Sequence, residues 1–283
     1  MPLPVEADHP VVACYSGPDS ASAVQLGAVL PAAVGQPLVV ASAYRHEPLA
    51  LSPSGLEEPE DERRFDAALA RVERAGHLVP AAVEFHERVL PAEGVPEALA
   101  DLARELDACA LVLGRDLNGS VTRTVLQHAP CPLAVSPYSV PVPREEPLRR
   151  IGVAYDASPA ARFALAAAMH LAGEPGARVE VIVIGPGIER GQDDIDAAVA
   201  SGPAGLAVGA LRLEGDPGAR LIEASDGLDL LLCGSHGRGR VMSALLGSVS
   251  ARLVEAAHCP VLVVPPLIRR RSGAPLGLTT AAG

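Results

Sequence analysis

Short apolar runs alternate along this chain with longer segments in which apolar residues recur at helical spacing. In the second half, five such runs predict strands at 151–155, 179–184, 207–213, 228–233 and 261–264. Helices are predicted between them, at 158–171, 193–201, 216–224 and 248–257. Unbroken apolar runs are typical of parallel strands buried on both faces. The alternation therefore predicts a doubly wound, Rossmann-like parallel α/β sheet.

The chain is also an internal duplication. The segment GSVTRTVLQHAPCPLAVSP at 119–137 aligns without gaps with GSVSARLVEAAHCPVLVVP at 247–265, and VVACYS at 11–16 aligns with IGVAYD at 151–156. The first half repeats the strand and helix order of the second, with a longer acidic helix at 56–76. We therefore predict two tandem domains, each with a five-stranded parallel sheet. Their predicted bounds are 1–146 and 147–268, followed by a disordered tail at 269–283.

Composition excludes several classes of protein. No apolar stretch approaches 20 residues, and the acidic, Pro-rich start MPLPVEADHP lacks the basic region of a signal peptide. The five cysteines show no CxxC spacing, so we expect buried free thiols in a reducing compartment rather than a zinc site or disulfides. These features predict a cytoplasmic protein without a membrane span.

The charge is unevenly placed. Residues 1–146 carry 21 acidic and 10 basic side chains, whereas residues 147–283 carry 13 of each. The acidic first half should repel polyanions, so nucleic acid is not an expected partner. Every basic side chain other than histidine is arginine, which rules out a P-loop lysine.

A glycine-rich segment in the neutral half is the main candidate for a ligand site. Gly234 and Gly237 are followed, ten residues after Gly237, by Gly247 and Ser248, where a helix is predicted to begin. Glycines let backbone N–H groups approach a ligand closely, and a helix N-terminus attracts anions. The pattern therefore predicts a cradle for phosphate groups.

Two further segments should meet this cradle at the carboxyl edge of the sheet. Asp156 follows the first strand of the second half and could contact a ribose or Mg²⁺, and main-chain groups at Ile184 could bind a purine edge. The predicted nucleotide contacts are Ala154, Tyr155, Asp156, Ile184, Cys233, Gly234, His236, Gly237, Arg238, Gly239, Gly247, Ser248 and Val249. Simpler interpretations stay open: Asp156 as a helix N-cap, Gly234 as a turn residue, and Arg238 and His236 as solvated loop residues.

These motifs resemble those of the universal stress protein family, in a tandem form. Its nucleotide-binding members carry G-x2-G-x9-G-S/T, which Gly234, Gly237, Gly247 and Ser248 match. The resemblance covers about residues 10–137 and 150–266. It implies ATP binding, a role in stress response rather than a metabolic reaction, and pairing of the last strands of the two domains. Pairing of residues 131–136 with residues 259–264 would then join the two domains as an internal pseudo-dimer. Two chains could also associate as a homodimer.

The first half departs from this pattern. Its glycine-to-glycine step, from Gly114 to Gly119, is eight residues shorter than in the second half, and Leu117 stands at the second glycine position. Ser16 occupies the position of Asp156. We predict that this half does not bind ATP; the alternative is a smaller ligand held by Arg115 and Asp116.

Several functions remain to be weighed. An ATP-binding regulatory protein without robust catalysis fits best, because no Ser–His–Asp or Cys–His arrangement and no Walker motif is present. His236 is the candidate base for any weak hydrolysis. A binder of AMP or a cyclic adenine nucleotide, and an interaction scaffold without a ligand, are the alternatives. The HxGH and SGGxDS loops of adenylyl transferases and ATP-pyrophosphatases are absent from the sequence.

Overall fold

The computed structural model describes residues 9–46, 58–115, 120–137, 148–173, 176–185, 192–201, 205–235 and 247–265. Strands and helices alternate throughout these ranges. The first half contains β1 (Val11–Cys14), α1 (Ala21–Val34), β2 (Leu38–Arg45), α2 (Glu58–Gly76), β3 (Phe85–Ala92), α3 (Val95–Glu105), β4 (Ala110–Gly114), α4 (Ser120–His128) and β5 (Leu133–Ser136). The second half contains β6 (Arg150–Ala154), α5 (Pro159–Leu171), β7 (Arg178–Ile184), α6 (Gln192–Ser201), β8 (Ala207–Leu213), α7 (Pro217–Ala224), β9 (Leu230–Gly234), α8 (Ser248–Ala256) and β10 (Val261–Val264).

The strands form a ten-stranded sheet in the order β3-β2-β1-β4-β5-β10-β9-β6-β7-β8. Pairing is parallel within each half, and the two halves have the same strand order when read outward from their shared centre. The predicted α/β class with five parallel strands per half is confirmed. The two five-stranded sheets are joined edge to edge rather than standing apart.

The join between the halves is the antiparallel pair β5–β10. Val261 pairs with Val135, and Val263 pairs with Leu133, which is the strand pairing expected for residues 131–136 and 259–264. Two contacts reinforce this seam: Arg115 Nη2 donates to the Ala257 carbonyl at 2.8 Å, and Arg123 pairs with Glu255 at 2.8 Å. Because β5 and β10 run in opposite directions, the carboxyl edges of the two halves lie on opposite sides of the molecule.

Both faces of the sheet are covered by helices. Buried residues of α1, α2, α5 and α6 pack on one face, and those of α3, α4, α7 and α8 pack on the other. The strands are buried on both sides, which explains their unbroken apolar sequences. Alanine fills much of the buried face of α5, so this helix can lie close to the sheet.

The predicted elements agree with the structure apart from their ends. Tyr155 lies just beyond β6, and Leu228 and Asp229 precede β9. Asp229 precedes β9 instead of forming part of it, and its carboxylate accepts from the N–H groups of Arg149 and Arg150, both at 2.8 Å. The predicted domain boundary at 146/147 and the tail at 269–283 lie outside the described residues.

The cysteines are free thiols, and four of the five are buried; Cys14 is half-buried. Burial raises the pKa of Cys233 and of Cys259 to about 12. Among the described helices, none combines the length and apolar character that crossing a membrane requires.

Candidate functional site

The order of the strands places a crevice in the second half. From β6 the chain passes to β7 and β8 on one side, and then returns to β9 and β10 on the other. The sheet therefore has a topological switch point between β6 and β9. In open α/β sheets ligands bind at such a point, beyond the carboxyl ends of the strands. Three predicted segments meet there: the β6–α5 turn, the end of β7 and the β9–α8 connection.

The β6–α5 turn carries Asp156. Its Oδ1 accepts from the Ser158 N–H at 2.9 Å, while Ser158 Oγ accepts from the Ala161 N–H at 3.2 Å. Ser158 is therefore the N-cap of α5, and Asp156 braces the turn before it. Ala157 between them has φ 61°, a left-handed conformation that is uncommon for a residue with a side chain. Such strain is held at functional sites more often than elsewhere.

The end of β9 approaches the start of α5 closely. A Cβ atom built on Gly234 would lie 2.8 Å from the Cβ of Ala160, a distance that side chains do not tolerate. Gly234 is therefore required by this contact, which a turn alone would not demand. The neighbouring side chains of Cys233 and Tyr155 are buried, so only their backbones are suited to contact a ligand.

The connection from β9 to α8 is closed at its base. The Ser235 carbonyl accepts from the Gly247 N–H at 2.7 Å, and the Ser250 hydroxyl lies 3.0 Å from the Gly247 carbonyl and 3.3 Å from that of Ser235. Ser235 and Gly247, the described residues on either side of 236–246, are therefore in direct contact at the crevice. The predicted contacts His236, Gly237, Arg238 and Gly239 lie outside the described residues.

The N-terminus of α8 opens at this point. Its N-cap is Gly247, and no side chain of the described residues caps it, whereas Ser158 caps α5 and Asp216 caps α7. The first intrahelical bond runs from the Ala251 N–H to the Gly247 carbonyl at 3.0 Å. The N–H groups of the preceding residues therefore point out of the helix, beside an exposed Ser248. This end of the helix has the charge and the donors to hold an anion.

The end of β7 supplies an acceptor from the opposite side. The Tyr155 N–H donates to the Ile182 carbonyl at 2.9 Å, so Ile182 faces β6. Carbonyls two residues apart in a strand point the same way, and that of Ile184 therefore faces past the end of β6 into the crevice. The side chain of Ile184 packs in the core, as expected.

An ion pair beside α8 was not anticipated from the sequence. Arg252 Nη1 lies 2.5 Å from Asp216 Oδ1, and the guanidinium covers Gly218, where a Cβ atom would clash with it. The pKa of Asp216 is lowered, first by the Ala219 N–H that it accepts and then by Arg252. The structure ties Arg252 to the N-cap of α7. Asp216 followed by Pro217 is a typical start of a helix, whereas no local pattern indicates the partner 36 residues away.

At the corresponding crevice of the first half, the donors of the turn are already used within the chain. Ser20 Oγ accepts from the N–H groups of Ser16 at 2.8 Å and Gly17 at 3.2 Å, which occupies the donors of the β1–α1 turn. Arg115 reaches across the seam to Ala257 instead of facing this crevice. The geometry therefore disfavours Arg115 as a ligand contact; Asp116 and Leu117 lie outside the described residues.

Asp156 is the predicted contact of a Mg²⁺ ion. The described ranges contain no group of three or more His, Cys, Asp or Glu side chains able to hold a metal ion. Within these ranges, Asp156 would be one ligand of a Mg²⁺ ion whose other ligands come from phosphates and water.

Comparison with known proteins agrees with this architecture. The model of the Universal stress protein family matches residues 9–137 and 187–265. Universal stress protein Rv2005c of Mycobacterium tuberculosis is 31% identical over 172 residues, covering 53% of this chain but only 57% of that protein. The chain thus matches little more than half the length of that relative. Universal stress protein Rv2623 of the same organism is 29% identical over 245 residues, covering 75% of this chain and 80% of that protein.

A solved structure has the same fold. The universal stress protein from Archaeoglobus fulgidus DSM 4304 superposes with a TM-score of 0.67 at 19% identity, covering 90% of this chain and 96% of that chain. The family match extends over both halves and includes the segment from Gly234 to Ser248. The chain belongs to the universal stress protein family.

Proposed function

We propose that this protein is an ATP-binding regulatory protein of the stress response, with one nucleotide site, in its second half. The observation that carries the proposal is the N-terminus of α8, which no described side chain caps and which opens at the switch point between β6 and β9. A phosphate would accept from its N–H groups and lie at the positive end of the helix dipole.

The remaining parts of the site match the other parts of a nucleotide. The Ile184 carbonyl would accept from the amino group of adenine, and Asp156 would contact the ribose or a phosphate-bound Mg²⁺. The connection at 236–246 contains Gly237 and Arg238, and it is long enough to border a chain of phosphates. A triphosphate uses this length best, so ATP is preferred here over AMP or a cyclic adenine nucleotide.

The proposed role is regulatory rather than enzymatic. Nucleotide binding would act through stability and partner affinity, since a ligand present at 100 times its dissociation constant stabilises the folded state by about 2.7 kcal/mol. Weak hydrolysis at His236 is compatible with this role. We further propose that the two halves behave as an internal pseudo-dimer, that two such chains can form a homodimer, and that the protein acts in the cytoplasm.

A matched pair of variants tests the site. Ser248 and Ser120 are the first residues of α8 and α4, occupy equivalent positions in the two halves, and are both exposed. Glutamate at a first helical position favours the helix, so Ser248→Glu and Ser120→Glu should both fold. Isothermal titration of ATP with Mg²⁺ should give one site per chain in the wild type. Ser248→Glu should weaken binding at least 100-fold, because its carboxylate repels the phosphates, whereas Ser120→Glu should not change it.

The other outcomes point elsewhere. Equal loss in both variants, or a second site in the wild type, would overturn the placement of the site. Absence of ATP binding to the wild type would favour the scaffold alternative. Tighter binding of AMP or cyclic AMP than of ATP would replace ATP as the ligand.

A further inference from the structure

The repeat defines which atoms of the first half correspond to the proposed base position. In the second half the Tyr155 N–H donates to the Ile182 carbonyl at 2.9 Å, and in the first half the Tyr15 N–H donates to the Ala41 carbonyl at 2.8 Å. Ala41 is therefore the counterpart of Ile182. Two residues further along each strand, Ala43 is the counterpart of Ile184, and its carbonyl faces past the end of β1 into the first crevice.

In the first half this carbonyl already has a donor. Arg71 of α2 donates from Nη2 to the Ala43 carbonyl at 3.2 Å and from Nε to Ser42 Oγ at 3.0 Å. Ser42 is buried, and Arg71 is itself half-buried, so burial lowers the pKa of its guanidinium. Two residues after Ala43 on β2, the Arg45 carbonyl accepts from Arg64 Nη1 at 3.3 Å.

The arginines act as a set because of their spacing. Arg64 and Arg71 are seven residues apart on α2, which places them on one face of the helix, two turns apart. Their guanidinium groups donate to the carbonyls of Ala43 and Arg45 on the side of β2 where β1 has ended, while β3 still pairs with the other side. A carbonyl shielded from water needs a donor. The Arg71 bond is part-buried and the Arg64 bond is exposed, so the seal at this edge of the crevice depends mainly on Arg71.

The second half lacks this seal within its described residues. No described side chain donates to the Ile184 carbonyl. Val183 stands at the position of Ser42, so the hydroxyl that accepts from Arg71 Nε in the first half has no counterpart there. The covering helix is also shorter: α6 has 10 residues where α2 has 19. After Ile184 comes Gly185, whereas after Ala43 comes Tyr44, which packs edge-on against Phe65 of α2.

We propose that Arg71 stands in for the amino group of a nucleobase in the first half, so that this half keeps the base-binding carbonyl but occupies it from within. The inference rests on the proposed function, because the second-half site defines where a base would lie. The first half then has an occupied base position as well as a glycine loop eight residues shorter than that of the second half. The ligand class that Arg71 excludes is a neutral purine nucleoside with an exocyclic amine, which needs no phosphate loop.

The experiment uses adenosine and methyl NMR of the full chain. Val89 and Leu113 report on the first half, and Ile184 and Val249 on the second. Arg71→Ala removes the guanidinium, and Arg71→Met removes it while retaining most of the aliphatic packing. Arg74→Ala is the matched control, since Arg74 is an exposed arginine on the same helix, three residues away. Thermal unfolding establishes that each variant is folded.

In the wild type and in Arg74→Ala, adenosine should shift only the second-half methyl signals. In Arg71→Ala, or in Arg71→Met should the alanine variant not fold, saturable first-half shifts should appear at adenosine concentrations that leave the first-half signals of the wild type unchanged. First-half shifts in the wild type, or their absence from both folded Arg71 variants, would overturn the role of Arg71. Missing second-half shifts in the wild type would instead count against the proposed nucleotide site.

Discussion

The Nη2 atom of Arg115 donates a 2.8 Å hydrogen bond to the carbonyl of Ala257. Arg115 follows β4 of the first half, and Ala257 follows α8, the helix whose N-terminus forms the proposed phosphate site. Ala257 follows α8 directly, so the cation lies at the negative end of the helix dipole. The residues are 142 positions apart, and only the pairing of β5 with β10 brings them together. The first half thus contacts the helix that carries the proposed site.

Replacing Arg115 by methionine should destabilise the fold. The lost bond has a charged donor, which is worth about 1.5–3 kcal/mol, and the buried Nε that already lacks a partner offsets part of this. We expect a net loss of about 1–2 kcal/mol in the free energy of unfolding, measured in urea. The control is Arg123→Ala, which breaks the exposed Arg123–Glu255 pair across the same seam and should cost less than about 1 kcal/mol. An Arg115 variant no less stable than this control would refute the seam role of Arg115.

Gly234→Ala should affect both stability and nucleotide binding. Its new Cβ would lie 2.8 Å from that of Ala160, so β9 and α5 must move apart at the crevice, at a cost of about 1–3 kcal/mol. ATP affinity, measured by calorimetry, should fall together with the melting temperature.

The equivalent substitution in the first half is the control for Gly234. Gly114→Ala would place a Cβ 3.1 Å from Ser20 Cα and should also destabilise the protein. Because the first half is proposed not to bind ATP, the affinity of the Gly114→Ala variant for ATP should stay at the wild-type value. Equal effects of the two substitutions on affinity would show that the loss follows from general destabilisation.

Asp216 should make stability depend on pH. The Ala219 N–H, followed by Arg252, lowers its pKa in the folded state below the usual value near 3.9. Its stabilising effect is therefore complete above that value and is lost as the pH falls through the folded-state pKa. The melting temperature of Asp216→Asn should be lower than that of the wild type from pH 5 to 7, and the gap should close below about pH 4.

Arg252→Met isolates the part of this effect that comes from the ion pair. It removes the second cause of the lowered pKa but keeps the helix cap, so the pH dependence should shrink without vanishing. A gap between wild type and Asp216→Asn that persists unchanged to pH 2.5 would contradict the assignment.

The buried thiols should be unreactive in the native protein. With a pKa of about 12, Cys233 and Cys259 would be about one part in ten thousand thiolate at pH 8. A chromogenic disulfide reagent should label them at least 100-fold more slowly in buffer than in denaturing urea. Saturating ATP should slow labelling of Cys233 further, since it stabilises the fold. Fast native labelling of either thiol would show that this part of the sheet opens readily.

The order of the elements could be predicted from the sequence because it depends on local patterns. Apolar runs such as 179–184 and caps such as Asp216 act over a few residues, and the 119–137 and 247–265 repeat tied the two halves to one topology. The switch point, and with it the convergence of Asp156, Ile184 and Gly247, follows from strand order alone. The individual nucleotide contacts remain predictions.

Tertiary structure decided which long-range contacts the arginine side chains make. The contacts of Arg71 with Ala43 and of Arg252 with Asp216 join residues 28 and 36 positions apart, and they depend on how α2 and α8 lie against the sheet. From the sequence pattern alone, an arginine on a helix is predicted to be exposed to solvent. Whether it donates to a strand carbonyl is set by helix placement to within an ångström or so, because a hydrogen bond weakens steeply beyond its narrow range of distance and angle.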